Sequence, residues 1–161
     1  MANKLSHLDE KGQVQMVDVG DKQITKRFAH ARSTVILPPN ILDLLSGDDI
    51  VTKKGAVFQT ATIAGIMAVK KTSELIPLCH PLPLSKCEID ISIDDNQHVI
   101  IDCTAKVSGK TGVEMEALTG ASVAALTIYD MCKAMSHDIV IARTELITKT
   151  GGKSDYHNSI S

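Results

Sequence analysis

The sequence predicts an α+β domain of the ferredoxin-like, split β-α-β kind: an antiparallel sheet with helices packed on one face. Three observations predict it. Residues 87–107 alternate apolar and polar side chains on both sides of one short turn, the pattern of a hairpin with one buried face. Two segments dense in Ala and other small residues, 55–72 and 113–135, read as helices. A strand-like run stands before the first of these helices and another after the second. The order is therefore strand, helix, strand, strand, helix, strand.

Residues 1–12 read as a polar arm, and a short apolar patch follows at 16–19 around Asp18. Arg27–Leu37 is the first predicted strand. Ala29, Ala31, Ser33, Val35 and Leu37 share one face, while Arg27, His30 and Arg32 give the segment its polar character. Pro38-Pro39 stops it, and Asn40 is the expected N-cap of a short helix through Leu45, closed by Gly47. In the helix predicted at 55–72, Val57, Ala61, Ala64, Ile66, Met67 and Ala68 form the apolar side. Ile76–Leu84 holds three prolines, which forbid a helix and most ladder bonding, so an extended rigid loop is expected. In the hairpin, Cys87, Ile89, Ile91 and Ile93 face Val99, Ile101, Cys103, Ala105 and Val107 across a turn at 95–97. Gly112 precedes the long helix 113–135. Ile139–Leu146 is the last strand, and Thr150–Lys153 opens a Gly-rich tail. The whole chain, 1–161, reads as one domain, with 1–12 and 155–161 as flexible ends.

Composition narrows the function. With 43% hydrophobic and 22% charged residues the chain is globular, and its net charge of −2 draws it neither to nucleic acid nor to anionic membrane. There is no Trp, and only two Tyr and two Phe offer stacking surfaces for single-stranded nucleic acid. The four cysteines include no C-x-x-C pair, so neither a zinc site nor a thioredoxin-like site is expected. The polar start lacks the features of a secretory signal, which points to the cytoplasm and to reduced thiols.

Several groups carry possible chemistry. Ser108–Thr111 resembles part of a phosphate-binding P-loop, but the glycine required five residues before Gly109 is Thr104, so that motif is incomplete. Two readings of this turn stay open: an anion site at a helix start, or an ordinary strand-to-helix connection. Cys79-His80 sits between Pro77 and Pro81. Adjacent residues of an extended segment point opposite ways, so His80 is favoured as a substrate ligand or proton shuttle over a Cys79–His80 pair. Glu114, Glu116, Asp130 and Lys133 lie on the long helix. Asp130 and Lys133 are three apart and therefore neighbours, and their apolar surroundings predict a partly buried pair suited to acid–base work. Arg27, Lys54, Lys149 and Lys153 stand at element edges, Lys153 after a Gly-Gly pair that lets backbone approach a phosphate. Glu116 and Asp130 are separated by roughly 21 Å of helix, so one small ligand hardly touches both from one chain: if both ends are functional, either the ligand is long or a second subunit supplies one end. The small residues between them are expected to pack the two subunits together.

Ile76-Pro-Leu-Cys-His-Pro-Leu82, Lys110-Thr-Gly-Val-Glu-Met-Glu-Ala-Leu-Thr119, the block 121–134 and Gly151-Gly-Lys-Ser154 closely resemble the MoaC family, as do Met16–Val19, Lys54-Gly55 and 61–65. The resemblance runs from about Leu5 to Ser154. It implies a cyclic pyranopterin monophosphate synthase of molybdenum cofactor biosynthesis. The substrate would be a 3',8-cyclised dihydro-GTP, and pyrophosphate would leave as the pterin and cyclic phosphate form. It also implies a homohexamer, a trimer of dimers, with active sites between subunits and the same ferredoxin-like fold. Carried over by motif, Asp130 is the catalytic acid–base residue, Lys133 its partner and Lys54 a further catalytic candidate. Leu78, Cys79 and His80 occupy the substrate-binding loop, with Met115 and Glu116 as a second substrate-binding segment. Glu114, Arg27, Lys149 and Lys153 are further site residues. Thr62 stands where many relatives have Arg, and Asp155 where many have Gly. No metal site or cofactor is expected beyond Mg2+ arriving with a triphosphate. The rival expectation is an oligomeric module that binds a phosphorylated ligand without turnover.

Overall fold

The computed structural model of the chain describes residues 6–159. Its elements run β1 (Thr25–Ile36), α1 (Pro39–Leu42), β2 (Leu45–Ser46), β3 (Asp49–Thr52), β4 (Gly55–Ala56), α2 (Val57–Lys70), α3 (Thr72–Leu75), β5 (Lys86–Ile93), β6 (His98–Gly109), α4 (Glu114–Cys132), β7 (Val140–Thr150) and β8 (Tyr156–His157). The main sheet is antiparallel with strand order β5-β6-β1-β7-β8. Without the two-residue edge strand β8, that is the split β-α-β arrangement expected from the sequence, with β6 and β1 at the centre. Ala29, Ala31, Ser33 and Val35 of β1 are buried, as are Val99, Ile101, Cys103, Ala105 and Val107 of β6. α4 packs over β1, β6 and β7, and α2 lies beside it against β5. On the other face, Arg32 donates from Nε and Nη2 to both oxygens of Asp102, at 2.8 and 3.1 Å, and His30 Nε2 lies 2.6 Å from the same carboxylate.

The small residues of α4 serve its own chain. Ala117, Gly120, Ala121, Ala124 and Ala125 are all buried within it, so the expectation that they pack one subunit on another is corrected. α2 and α4 cross at Gly65 and Gly120. A Cβ on Gly120 would stand 2.7 Å from Cys103 Sγ and 3.3 Å from the Gly65 carbonyl, and would overlap Val69. Gly120→Ala gains about 1 kcal/mol of helix propensity but overpacks a site with no flexible neighbour, at a cost of about 1–3 kcal/mol. Overpacking is expected to win, with Tm falling by several degrees in a thermal melt. An unchanged or higher Tm would show that the crossing has room to spare.

Other departures have local causes. Pro38 occupies the position before α1 and offers no side-chain cap, so Asn40 lies inside the helix, its Nδ2 3.4 Å from the Met135 carbonyl. The helix ends at Leu42, and a small ladder of β2, β3 and β4 takes up the residues up to Ala56. α2 begins at Val57 because Asp49, on β3, caps it from a distance. Its carboxylate accepts from the amides of Phe58 and Gln59 at 2.7 and 3.1 Å. Met67, expected on the apolar side of α2, is exposed. β7 continues four residues past its predicted end, which puts Lys149 on a strand. The hairpin turn is closed by Asp94, whose Oδ1 accepts from the amides of Asn96 and His98. Of the predicted flexible ends, residues 1–5 and 160–161 lie outside the described residues.

Candidate active site

A cavity of about 380 Å³ opens at the start of α4. Nine of the residues singled out in the sequence line it: Arg27, Leu78, Cys79, His80, Glu114, Met115, Glu116, Lys149 and Lys153. They arrive from four places, namely β1, the Pro-rich loop after α3, the first turn of α4, and the end of β7 with its tail. Lining charges are uneven: five Lys and Arg stand against two Glu. In a chain of net charge −2, that imbalance marks a pocket for an anion.

Arg27 holds the floor. Its Nε and Nη2 donate to the carbonyls of Gly109 and Lys110, each at 3.1 Å, and so fix the turn that leads into α4. Gly151, at φ +88°, lies against the Lys26 carbonyl where any Cβ would overlap it. Thr25 Oγ1 donates to the Gly151 carbonyl at 2.6 Å. This close approach lays the tail along β1 and brings Lys153 to the cavity. The Lys110 ammonium, the lysine of the incomplete P-loop motif, donates to the Gly20 carbonyl at 2.6 Å.

Two acids share the first turn of α4, where the helix dipole favours negative charge. Glu114 Oε1 lies 3.6 Å from Lys149 Nζ. Its Oε2 is buried and meets no hydrogen-bond donor among the described residues. Glu116 is only 4% exposed. Burial pushes its carboxyl above the ordinary range, and the nearby Glu114 adds to the shift. The folded chain therefore keeps this proton to higher pH than the unfolded chain does. Stability falls as pH rises from the ordinary carboxyl value through the raised one, and the penalty is complete above it. Glu116→Gln is expected to raise Tm at about pH 8 and leave it unchanged near about pH 4. A gain of equal size at both pH values would argue against a desolvated acid.

Burial and the same carboxylates disfavour the Cys79 thiolate. Burial raises its thiol pKa, and Glu116 and Glu114 raise it further. His80 is oriented by backbone: its Nε2 lies 2.7 Å from the Val17 carbonyl. A carbonyl only accepts, so Nε2 carries the proton and Nδ1 of the neutral ring is left as an acceptor.

The remaining three candidates meet elsewhere. At the far end of α4, Lys133 Nζ lies 2.9 Å from Asp130 Oδ1, and Lys54 Nζ lies 3.6 Å from Oδ2. Lys54 Nζ also donates to the Asp130 carbonyl at 3.1 Å, satisfying a carbonyl of the last helical turn. Lys54 rides on the turn between β3 and β4, which is tightened by a bond from its own amide to Thr52 Oγ1. The predicted burial of the Asp130–Lys133 pair is corrected. Ile128, Met131 and Cys132 turn inward, whereas the Asp130 side chain is 58% exposed. The hydrogen bond and charge of Lys133, and then Lys54, hold its carboxyl below the usual range, so it is an anion at neutral pH. Exposed ion pairs contribute little to stability, so two lysines converging on one carboxylate call for another explanation.

The cavity also takes residues that sequence reading passed over. His7, Val17, Val19 and Lys22 line it from the segment before β1. Val17 and Val19 belong to the Met16–Val19 patch and motif, which named no site residue, and nothing in the sequence reading pointed to His7 or Lys22. Among the described residues no group of three or more His, Cys, Asp or Glu is placed to hold a metal ion, and no helix is long and apolar enough to cross a membrane.

Comparison with known proteins gives a consistent result. The profile of the MoaC family matches residues 16–152. A cyclic pyranopterin monophosphate synthase of Xanthomonas campestris is 53% identical over 94% of this chain and 92% of its own length. Another of that description, from Brevibacillus brevis, is 49% identical over 98% of both chains. Molybdenum cofactor biosynthesis protein 1 of Dictyostelium discoideum is 52% identical over 94% of this chain, which spans 27% of that longer protein.

Proposed function

The chain belongs to the MoaC family, and on that premise we propose that it is a cyclic pyranopterin monophosphate synthase acting early in molybdenum cofactor biosynthesis. It converts (8S)-3',8-cyclo-7,8-dihydroguanosine 5'-triphosphate to cyclic pyranopterin monophosphate and releases pyrophosphate. The observation that carries this reading is the cavity at the start of α4, cationic in a slightly acidic chain. Its lysines and arginine suit a triphosphate, whose departing pyrophosphate gathers charge that cations stabilise. Glu114 and Glu116 suit the N–H edge of a purine-derived ring. Asp130, held as the anion, is the acid–base residue, with Lys133 as its partner and Lys54 as the second cation. Mg2+ enters as a companion of the triphosphate rather than through a ligand set of this chain.

The proposed assembly is a cytoplasmic homohexamer, a trimer of dimers, with each site shared between two subunits. Leu126, one turn before Asp130, and Val51, on the strand that leads to Lys54, are both 58% exposed. A subunit covering these apolar residues would also remove water from the ion cluster and strengthen its field. Incubation with the cyclised triphosphate tests the function. Pterin product and pyrophosphate are expected in equal amounts by chromatography and a coupled pyrophosphate assay. Tight binding with no pyrophosphate release would instead identify a non-catalytic binding module.

A further inference from the structure

The segment before β1 is tied to the cavity. Residues 7–15 fold back on themselves through the Leu8–Val14 bridge and a bond from the Gln15 amide to the His7 carbonyl. The chain then runs along the cavity, with Val17 and Val19 half-buried and lining it. Two side chains from different walls hold this stretch by its backbone. His80, in the Pro-rich loop, donates to the Val17 carbonyl at 2.7 Å, and Lys110, in the turn between β6 and α4, donates to the Gly20 carbonyl at 2.6 Å. The Gly20 amide donates to Asp18 Oδ1 at 2.8 Å, and just past the second latch the Lys22 amide donates to the Val19 carbonyl at 3.1 Å. Lys22 follows directly and lines the cavity. Its ammonium makes no ion pair or side-chain hydrogen bond among the described residues.

A lysine beside an anion pocket that spends a short, charge-assisted bond on a neutral carbonyl is placed to hold backbone. We propose that residues 16–22 form a fixed wall of the substrate pocket, that Lys22 contacts the substrate phosphates, and that Lys110 is a positioning residue that sets where Lys22 stands. The proposal rests on the phosphate-bearing substrate of the preceding section. It adds two residues to the site and gives each a different task. Lys22 touches substrate, while Lys110 acts through Lys22.

The test compares the full-length wild-type protein with Lys110→Met, Lys110→Arg, Lys22→Gln and the Lys22→Gln/Lys110→Met double variant. Hydrogen exchange reads the latch without any turnover. The amides of Gly20 and Lys22 are expected to exchange about tenfold faster in Lys110→Met and to recover in Lys110→Arg. In steady state, Lys110→Met and Lys22→Gln are each expected to raise KM by about tenfold with kcat changed less than about twofold. The double variant is expected to be no worse than Lys22→Gln alone. Unchanged exchange in Lys110→Met, or effects on KM that multiply in the double variant, overturns the proposal. Calorimetric titration with inorganic pyrophosphate runs the same cycle on affinity. A chain that shows the expected exchange and pyrophosphate cycle but no turnover would refute the proposed reaction and leave the wall and its positioning lysine supported.

Discussion

Asp130→Asn is expected to lower kcat by about a thousandfold while KM changes by less than about threefold. The substitution keeps the shape of the side chain and removes only its charge and its capacity to take a proton. Both lysines that converge on it would lose their anion: Lys133, at 2.9 Å, and Lys54, at 3.6 Å. Asp130 is exposed in the single chain, where its ion pairs add little to folding, so the subunit should still fold, and elution volume checks that the assembly survives. That separation is what makes the variant informative. Loss of turnover with intact structure places Asp130 in the chemistry, whereas near-normal turnover would remove it from the site. Acid titration of Asp130 is not expected to limit activity near neutral pH, since Lys133 holds its carboxyl below the ordinary range. A fall in kcat between about pH 7 and about pH 6 would have to come from another group.

Subunit mixing is expected to give the second large effect. Glu116 and Asp130 sit near opposite ends of α4, roughly 21 Å apart along the helix. If each site takes Glu116 from one subunit and Asp130 from its partner, Glu116→Ala and Asp130→Asn chains are each inactive alone but complement each other. In a mixed dimer one site carries both substitutions and the other carries neither. Random re-pairing makes half the dimers mixed, so about a quarter of wild-type activity should return. Co-expression with two affinity tags, followed by tandem purification, would confirm that both chains share one hexamer and leave the figure at about a quarter, because almost every randomly assembled trimer of dimers carries both tags. Activity no higher than that of either parent would show that each site is built within one chain.

The sheet and both long helices were legible in the sequence because each repeats a signal. β6 buries every second residue from Val99 to Val107, and α4 buries its small residues at helical spacing. Nine site candidates came together in one cavity for a related reason: their motifs sit at element ends that the antiparallel order brings to one edge. What the sequence hid lacks periodicity. The ladder from Leu45 to Ala56 has strands of two and four residues, too short to show alternation. Asp49 caps α2 from eight residues before its first residue, outside any local capping pattern. The 16–22 wall is held through backbone carbonyls at Val17 and Gly20, and a carbonyl acceptor is present at every residue, so nothing in the side chains announces it. Burial around Asp130 was misjudged because apolar neighbours in sequence say nothing about azimuth. On a helix, residues on either side of Asp130 point some 100° away from it.

The same azimuth gives α4 a further property. From Glu116 to Asp130 the helix makes about 3.9 turns, so the two acids return to within about 40° of the same bearing. The helix thus acts as a ruler with a phase as well as a length. One residue inserted between them would lengthen it by only about 1.5 Å but swing Asp130 about 100° around the axis. Seven inserted residues would lengthen it by about 10.5 Å and nearly keep the bearing. If the two ends serve different sites, the spacing between those sites is written into the residue count of one rigid rod. That rod is clamped at Gly65 and Gly120, so it has little freedom to roll and absorb an error.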